Sequence, residues 1–424
     1  MKNKGLVLVW LSVVTTINLF ILAKLNTGGN FTLNWLTVSQ LISLLGTNLL
    51  CLTFILSCRF NWLEKLFGGL DRVYRIHHIC GGFSFVMLLN HPLFLAVNVL
   101  PNISLVSKYV WFSNLLPYNF GLLALYSMLI LLILTFTINL PYDLWLKTHE
   151  FMGVTLFFAS IHVLTIGSDV SRFWPLRLWV VSLLLVSALS VVYKRYLYKY
   201  LGPKFNYLVD STEIIGDVIN VYLKPVTKKM NFYPGQYVFA RFEKLGKETH
   251  PFSISNDGKD GLVRLSVKIL GDYTLKVKGV SLGESVAIYG PYGNFFESLL
   301  NKQDLVWIAG GIGITPFLGM MEMAKNIAKQ KIDLIYCAKT ESELVFDNEI
   351  KNSISQNGLF RYWKFCTQNH GHLDANSILG LIGGAENKKF LLCGPNIMMK
   401  TISTQLASLG VKKRNVIFED FNFK

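Results

Sequence analysis

The sequence is short of charge. Only 16% of its 424 residues are Asp, Glu, Lys or Arg, against about a quarter in an ordinary soluble domain. The shortage is uneven. Residues 1–200 hold 14 Lys and Arg and 5 Asp and Glu, whereas residues 201–424 hold 27 and 21. The first half therefore reads as membrane and the second as soluble. The six cysteines form no Cys-x-x-Cys pair, and none falls in a predicted outer loop. This excludes a disulfide framework or structural zinc site and leaves small buried hydrophobes. The net charge is +15, but no basic helix or stripe interleaved with aromatics is present, which excludes nucleic acid as a partner. No EF-hand loop pattern occurs. A hydrophobic share of 52% excludes disorder and collagen-like chains.

Long apolar runs are abundant instead. Charge-free stretches run over Gly5–Ala23, Leu25–Cys58, Ile76–Ser107, Tyr109–Tyr142 and Phe151–Ser168, and a sixth, from about Phe173 to Tyr193, holds only Arg177. A spanning helix needs about 20 apolar residues. Six spans fit, near 5–24, 36–58, 74–100, 119–140, 146–167 and 174–195. The first is long and lacks a clear small-residue cleavage site, so it reads as a helix rather than a signal peptide. Orientation follows from Lys and Arg in the short loops. With the N-terminus inside, Lys2, Lys4, Arg59, Lys65, Arg72, Arg75, Lys147, Lys194, Arg195 and Lys199 lie inside, against Lys24, Lys108, Arg172 and Arg177 outside. The expectation is a multi-pass cell-membrane protein whose N-terminus and soluble half are cytoplasmic.

Five of the eight histidines fall in the first half: His77, His78, His91, His149 and His162. Ionisable groups at membrane depth are costly and usually functional. His77 and His91 lie 14 residues apart on the third span, and His149 and His162 lie 13 apart on the fifth. At 1.5 Å per residue each pair is separated by about 20 Å. Both spans run outward, so His77 and His149 share an inner depth and His91 and His162 an outer one. Two imidazoles at one depth can ligate one haem iron from both sides, and two such layers make a wire across the bilayer. The bland alternative, helix caps near headgroups, is improbable for four histidines in a two-by-two register. His78 is the expected bystander, though it could replace His77 in a spacing of 13. One difficulty remains open. Fourteen residues return to nearly the same helix face, whereas thirteen miss it by about 140°. The fifth span must tilt, tighten locally or use different rotamers.

Arg75-Ile76-His77, Gly81 and His91 resemble the third span of the ferric reductase transmembrane superfamily, which includes NADPH oxidases and cell-surface ferric reductases. His149, Gly153 and His162 resemble its fifth span.

From about Phe205 to Phe296, short alternating stretches broken by Gly, Pro and Asn read as a small antiparallel β-barrel. His250-Pro251-Phe252-Ser253 and the run from Lys268 through Gly271, Asp272 and Thr274 resemble the flavin-binding motifs of ferredoxin-reductase-like domains. The resemblance implies that the first segment holds the flavin ring and the second meets the diphosphate. Pro234-Gly235-Gln236-Tyr237 and Gly290-Pro291-Tyr292-Gly293 complete the pattern. From Asp304 the pattern changes. A buried strand from Leu305 to Ala309 leads into Gly310-Gly311-Ile312-Gly313-Ile314-Thr315-Pro316, before a helix from Phe317. Glycines at such a turn let a pyrophosphate approach a helix N-terminus. A second strand, Asp333 to Cys337, ends at Lys339, placed where an adenosine ribose would lie. Cys393-Gly394-Pro395 resembles the family's motif beside the nicotinamide, with core packing as the plainer reading of Cys393.

The resemblance covers nearly the whole chain and is closest to bacterial NADPH oxidases. It implies a six-helix membrane bundle over 1–200, an antiparallel FAD-binding β-barrel over 201–300 and an α/β NAD(P)H-binding domain over 301–424. Expected cofactors are FAD, NADPH with NADH also accepted, and two haem b groups. The expected acceptor is dioxygen outside the membrane, giving superoxide, with no obligate protein partner beyond lipid. A ferric-chelate reductase is the main rival, and an electron-supplying subunit another. A channel or transporter is the rival from a different class, and it leaves the flavin motifs without a task. The C-terminal run holds three aromatics, Phe418, Phe421 and Phe423. Phe421 best matches the terminal aromatic that stacks on the flavin in the family, with a packed edge strand as the alternative.

Overall fold

A computed structural model describes residues 4–26, 32–246, 248–355 and 358–418, apart from the side chains of residues 142, 143 and 199. The chain divides into two compact units between Tyr198 and Lys199.

The first unit is helical: α1 (Lys4–Asn26), α2 (Trp35–Leu56), α3 (Asn61–Phe67), α4 (Leu70–Val99), α5 (Ile103–Val110), α6 (Leu116–Phe136), α7 (Tyr142–Glu150), α8 (Met152–Thr165), α9 (Asp169–Arg172) and α10 (Trp174–Val192), which continues through a π turn at Tyr193–Leu197. Five of these helices are long and apolar enough to cross a membrane: α1, α2, α4, α6 and α10 with its π turn. The expected single helix over 146–167 is not there. Its residues form α7 and α8, of 9 and 14 residues, which meet at Phe151. Around the break, Phe151 N–H donates to the Thr148 carbonyl (3.1 Å) and Val154 N–H to the Phe151 carbonyl (2.8 Å). These are three-residue bonds, which tighten the turn to about 120° per residue. Local tightening is one of the three ways the 13-residue histidine spacing could be met.

Polar side chains join the helices where apolar packing alone has no preferred partner. Ser12 of α1 donates to Asn48 of α2 (2.7 Å), and Asn48 donates to Thr16 (3.1 Å). The Trp179 indole of α10 donates to Thr16 as well (2.9 Å). Asn34 caps α2 by accepting from the Thr37 amide, and Pro117 and Pro175 sit at the first turns of α6 and α10, where a missing N–H is harmless.

The short helix α11 (Tyr198–Leu201) straddles the division, and the second unit carries two sheets. Strands β1 (Lys204–Ile215), β2 (Val218–Pro225), β3 (Tyr237–Phe242), β4 (His250–Ser253), β5 (Val263–Lys268) and β6 (Ser285–Tyr292) form an antiparallel sheet of order β4-β3-β6-β1-β2-β5. The sheet curls until its two edges touch through a bridge between Ile254 and Leu265. Its inner face buries Tyr207, Val221, Leu223, Val238 and Ile288. Helix α12 (Asp272–Val277) follows β5.

Strands β7 (Asp304–Gly310), β8 (Ile332–Ala338), β9 (Phe360–Cys366), β10 (Lys388–Cys393) and β11 (Val416–Phe418) form a parallel sheet of order β11-β10-β7-β8-β9. Helices α13 (Thr315–Ile327), α14 (Asp347–Ile354), α15 (Thr367–His370), α16 (Ala375–Ile382) and α17 (Asn396–Ser408) connect them. Both faces are covered, so β7 and β8 are almost continuously apolar. Leu305, Trp307 and Ala309 feed one core and Val306 and Ile308 the other. The two sheets are joined by a bidentate contact: Arg264 of β5 donates to Glu349 of α14 at 2.7 and 3.1 Å.

Candidate functional site

In the helical unit the four expected histidines stand on α4, α7 and α8. The rings of His77 and His149 face each other with centroids 6.1 Å apart and planes at 65°. Two imidazoles sharing one metal at about 2.0 Å per bond would have centroids about 6 Å apart, so this inner pair is spaced for one iron. His91 and His162 both line a cavity of about 250 Å³, together with Gln40, Ser43, Lys108 and Asp169. His78 is exposed, beside the inner pair.

The ring orientations have a common cause in three of the four. Nδ1 of His77 donates to the Thr53 carbonyl (2.9 Å) and Nδ1 of His162 to the Pro117 carbonyl (2.7 Å). Nδ1 of His91 donates to the Ser39 carbonyl (3.0 Å), while the Ser39 hydroxyl donates back to the His91 carbonyl (2.8 Å). A ligating imidazole is held and made more basic by such a bond. None of the hydrogen bonds among the described residues uses Nε2 of these four. Nδ1 of His149, by contrast, is buried without a partner, and Trp145 stacks on its ring. The donor set thus fits haem iron held by two imidazoles per layer. No group of three or more candidate metal ligands exists among the described residues, and a bis-imidazole site needs none. Sequence reasoning missed Thr53, Ser39 and Pro117, because a backbone carbonyl acts whatever its side chain. Trp145, four residues before His149, was visible in principle as a same-face neighbour.

In the second unit the two segments expected to hold a flavin meet. His250 of β4 stacks on Tyr273 of α12 with centroids 3.6 Å apart, and its Nε2 lies 3.1 Å from Glu248. Pro251 and Phe252 pair with Phe239 and Val238 of β3, and Ser253 with Tyr237. Lys268 pairs with Asp217 at 3.0 Å. The Thr274 hydroxyl caps the turn that begins α12: it accepts from the Leu270 and Gly271 amides and donates to the Gly271 carbonyl. Nothing lies within 4 Å of where a Gly271 side chain would start, so the space over Gly271 and Asp272 is open. Gln236 joins the two turn motifs, as its amide donates to the Gly293 carbonyl (3.0 Å) and its own carbonyl accepts from Ile254 (2.9 Å).

The two expected nicotinamide segments also converge. Gly311 to Ile314 form a short 3₁₀ turn after β7, and the following helix begins at Thr315 rather than Phe317, with Pro316 in its first turn. The Thr315 hydroxyl donates to the Ile312 carbonyl (3.0 Å). A side chain at Gly313 would lie 2.2 Å from the Cys393 carbonyl oxygen and 2.6 Å from the Gly394 nitrogen, and one at Gly310 would meet Pro395 at 2.9 Å. The strand ends of β7 and β10 therefore touch through bare backbone. Cys393 is only 3% exposed and packs in the core. Lys339 stands exposed just past β8. Burial pushes the neighbouring Cys337 thiol up to about 11, so it stays protonated and inert near neutrality. Phe421 and Phe423 lie outside the described residues.

Three families match in order along the chain: "Ferric reductase like transmembrane component" over residues 42–160, "FAD-binding domain" over 206–295 and "Oxidoreductase NAD-binding domain" over 307–404. Flavohemoprotein A of Dictyostelium discoideum is 25% identical over 241 residues, 51% of this chain and 59% of that protein. The flavohemoprotein of Vibrio cholerae is 27% identical over 207 residues, 45% of this chain and 52% of that protein. A probable dihydroorotate dehydrogenase B (NAD(+)) electron transfer subunit of Methanocaldococcus jannaschii is 29% identical over 197 residues, 45% of this chain and 69% of that protein. The chain thus spans little more than half the length of the two flavohemoproteins. The crystal structure of flavohemoglobin from Malassezia yamatoensis covers 93% of this chain and all of its own, with a TM-score of 0.53 at 16% identity, a likeness of fold alone.

Proposed function

We propose that this NADPH-oxidase/ferric-reductase-like protein takes reducing equivalents from cytosolic NADPH, and less readily NADH, and delivers them across a cell membrane to external dioxygen, producing superoxide. Bound FAD would supply the conversion of hydride to single electrons, and two haem b groups their passage over the apolar gap. The FAD- and NAD-binding matches carry the first part of this reading, with the ferric-reductase-like match beside them. The observation that supports the second part is the facing of His77 and His149, with His91 and His162 on one cavity.

The residues divide the work as follows. Gly310 to Thr315 would present backbone N–H groups to a pyrophosphate, with Pro316 in the first turn of the helix that starts there. Gly313 and Gly394 keep the β7 and β10 ends close enough to form one floor for the nicotinamide. Lys339 offers its charge to a 2′-phosphate; as a point charge without the fork of Arg it would discriminate modestly. His250 to Ser253 flank the flavin ring, and the open backbone at Gly271 and Asp272, capped by Thr274, meets its diphosphate. His77 and His149 would hold the inner iron, and His91 and His162 the outer one. With both irons held by two protein imidazoles, the haems would supply single-electron transfer, and dioxygen would be the outer acceptor. The loop charges favour the soluble module inside the cell.

The test is oxygen uptake by purified protein with NADPH and FAD, with superoxide dismutase as control. Dismutase-sensitive reduction of a superoxide probe is the expected result. The ferric-reductase-like match favours a second reading, a ferric-chelate reductase. That reading gains if ferric chelate is reduced at an undiminished rate in oxygen-free buffer and little superoxide forms in air. Electron transfer from NADPH to dioxygen or to ferric chelate at an undiminished rate in haem-free protein would remove both.

A further inference from the structure

Three of the four histidines have Nδ1 tied to a carbonyl of another helix, and His149 has not. Its position also has less support from its own helix. It sits in the last turn of the nine-residue α7, just before the break at Phe151. At a short helix end with no hydrogen bond on Nδ1, no hydrogen bond fixes rotation about the Cβ–Cγ bond. Among the described residues the ring stacked on it, with centroids 5.5 Å apart and planes 12° from parallel, is Trp145. Trp145 lies one helical turn earlier, so side chains on the same face bring the two rings together. A parallel flat face resists ring rotation as a hydrogen bond would, but donates no electron density to the imidazole.

We propose that Trp145 is the positioning residue for His149: its indole face sets the ring plane that presents Nε2 toward His77, replacing the carbonyl used at the other three positions. The inner site is then the one whose ligation depends on stacking. This rests on the di-haem reading above. Two consequences separate it from plain packing. Loss of the aromatic face should disturb the inner haem alone, and an aromatic replacement should restore it.

The experiment uses purified full-length protein. Haem per chain is measured together with the low-spin electron paramagnetic resonance signals. Wild type should show about two haems and two signals. His149→Ala should remove one signal, which identifies the inner site. Trp145→Leu keeps bulk without a flat face; it should shift or remove that signal only, with haem falling toward about one per chain. Trp145→Phe should retain both. A second measurement covers the case in which Trp145→Leu accumulates poorly. Added imidazole should restore the inner signal in His149→Gly, and replacing Trp145 by Phe or Leu in that background should raise the imidazole needed by roughly three- to tenfold for Leu and less for Phe. Wild-type signals in Trp145→Leu, or an outer signal that moves as much as the inner, overturn the proposal. So does imidazole rescue that is indifferent to residue 145. A wild-type protein without low-spin haem overturns the di-haem reading instead.

Discussion

Gly313→Ala tests the convergence of the two nicotinamide segments. The added carbon would sit 2.2 Å from the Cys393 carbonyl oxygen, where ordinary contact begins at 3.4 Å, so the β7 and β10 ends must part by about 1.2 Å. The obstructing atoms are backbone in a parallel sheet and cannot swing aside as a flexible side chain would. Forced overpacking of this kind costs about 1–3 kcal/mol, which is roughly 5- to 150-fold at about 1.36 kcal/mol per tenfold. A misplacement of about 1 Å in a positioning element has the same scale in rate, about 100-fold. The expected outcome is a 10- to 100-fold loss, by the same estimates, in kcat/KM for NADPH with an artificial acceptor. Stopped-flow flavin reduction should fall in parallel, while haem content and bound FAD stay at wild-type levels. Gly311→Ala is the internal comparison. It adopts a φ of +54° with nothing within 4 Å, so it bears only left-handed strain of about 1–2 kcal/mol and should lose less. Gly313→Ala with wild-type kinetics would refute the reasoning.

Replacing His77, His91, His149 or His162 by Ala should each lower haem content in a pyridine haemochrome assay, whereas His78→Ala should spare it; the reverse result for residues 77 and 78 makes the assigned register wrong. Arg264→Ala leaves Glu349 unpaired and frees the Ser255 carbonyl, so it should destabilise the second unit by about 2–3 kcal/mol, below the 3–5 of a fully buried pair because the Glu349 side chain is 39% exposed; thermal unfolding with flavin release as the signal checks it. Lys339→Ala should erode the preference for NADPH over NADH by up to about tenfold, and unchanged preference in steady-state kinetics removes Lys339 from that role. Phe421→Ser should alter nicotinamide affinity or the rate of flavin reduction while leaving haem content alone, and unchanged values for both defeat the stacking role.

Much of the architecture was legible because its signals are local. Apolar runs of spanning length, the glycine turn after a buried strand and the two histidine spacings can all be counted along the chain. Their periods follow from backbone geometry that every residue shares. Matching His77 to His149 and His91 to His162 needed only the assumption that two spans run the same way. The tertiary structure decided what depends on residues far apart. The break at Phe151 has no proline or glycine at its centre; it shows in the hydrogen bonds around it and not in the letters. Thr53, Ser39 and Pro117 orient rings 24, 52 and 45 residues away through carbonyls, which no side-chain pattern records. The close approach of Gly313 to Cys393 and the clasp of Arg264 on Glu349 arise only when separate strands and helices have packed. Periodicity sets which face of an element is apolar, but which partner lies against that face is settled by packing, and the fine placement of the candidate ligands depends on the second.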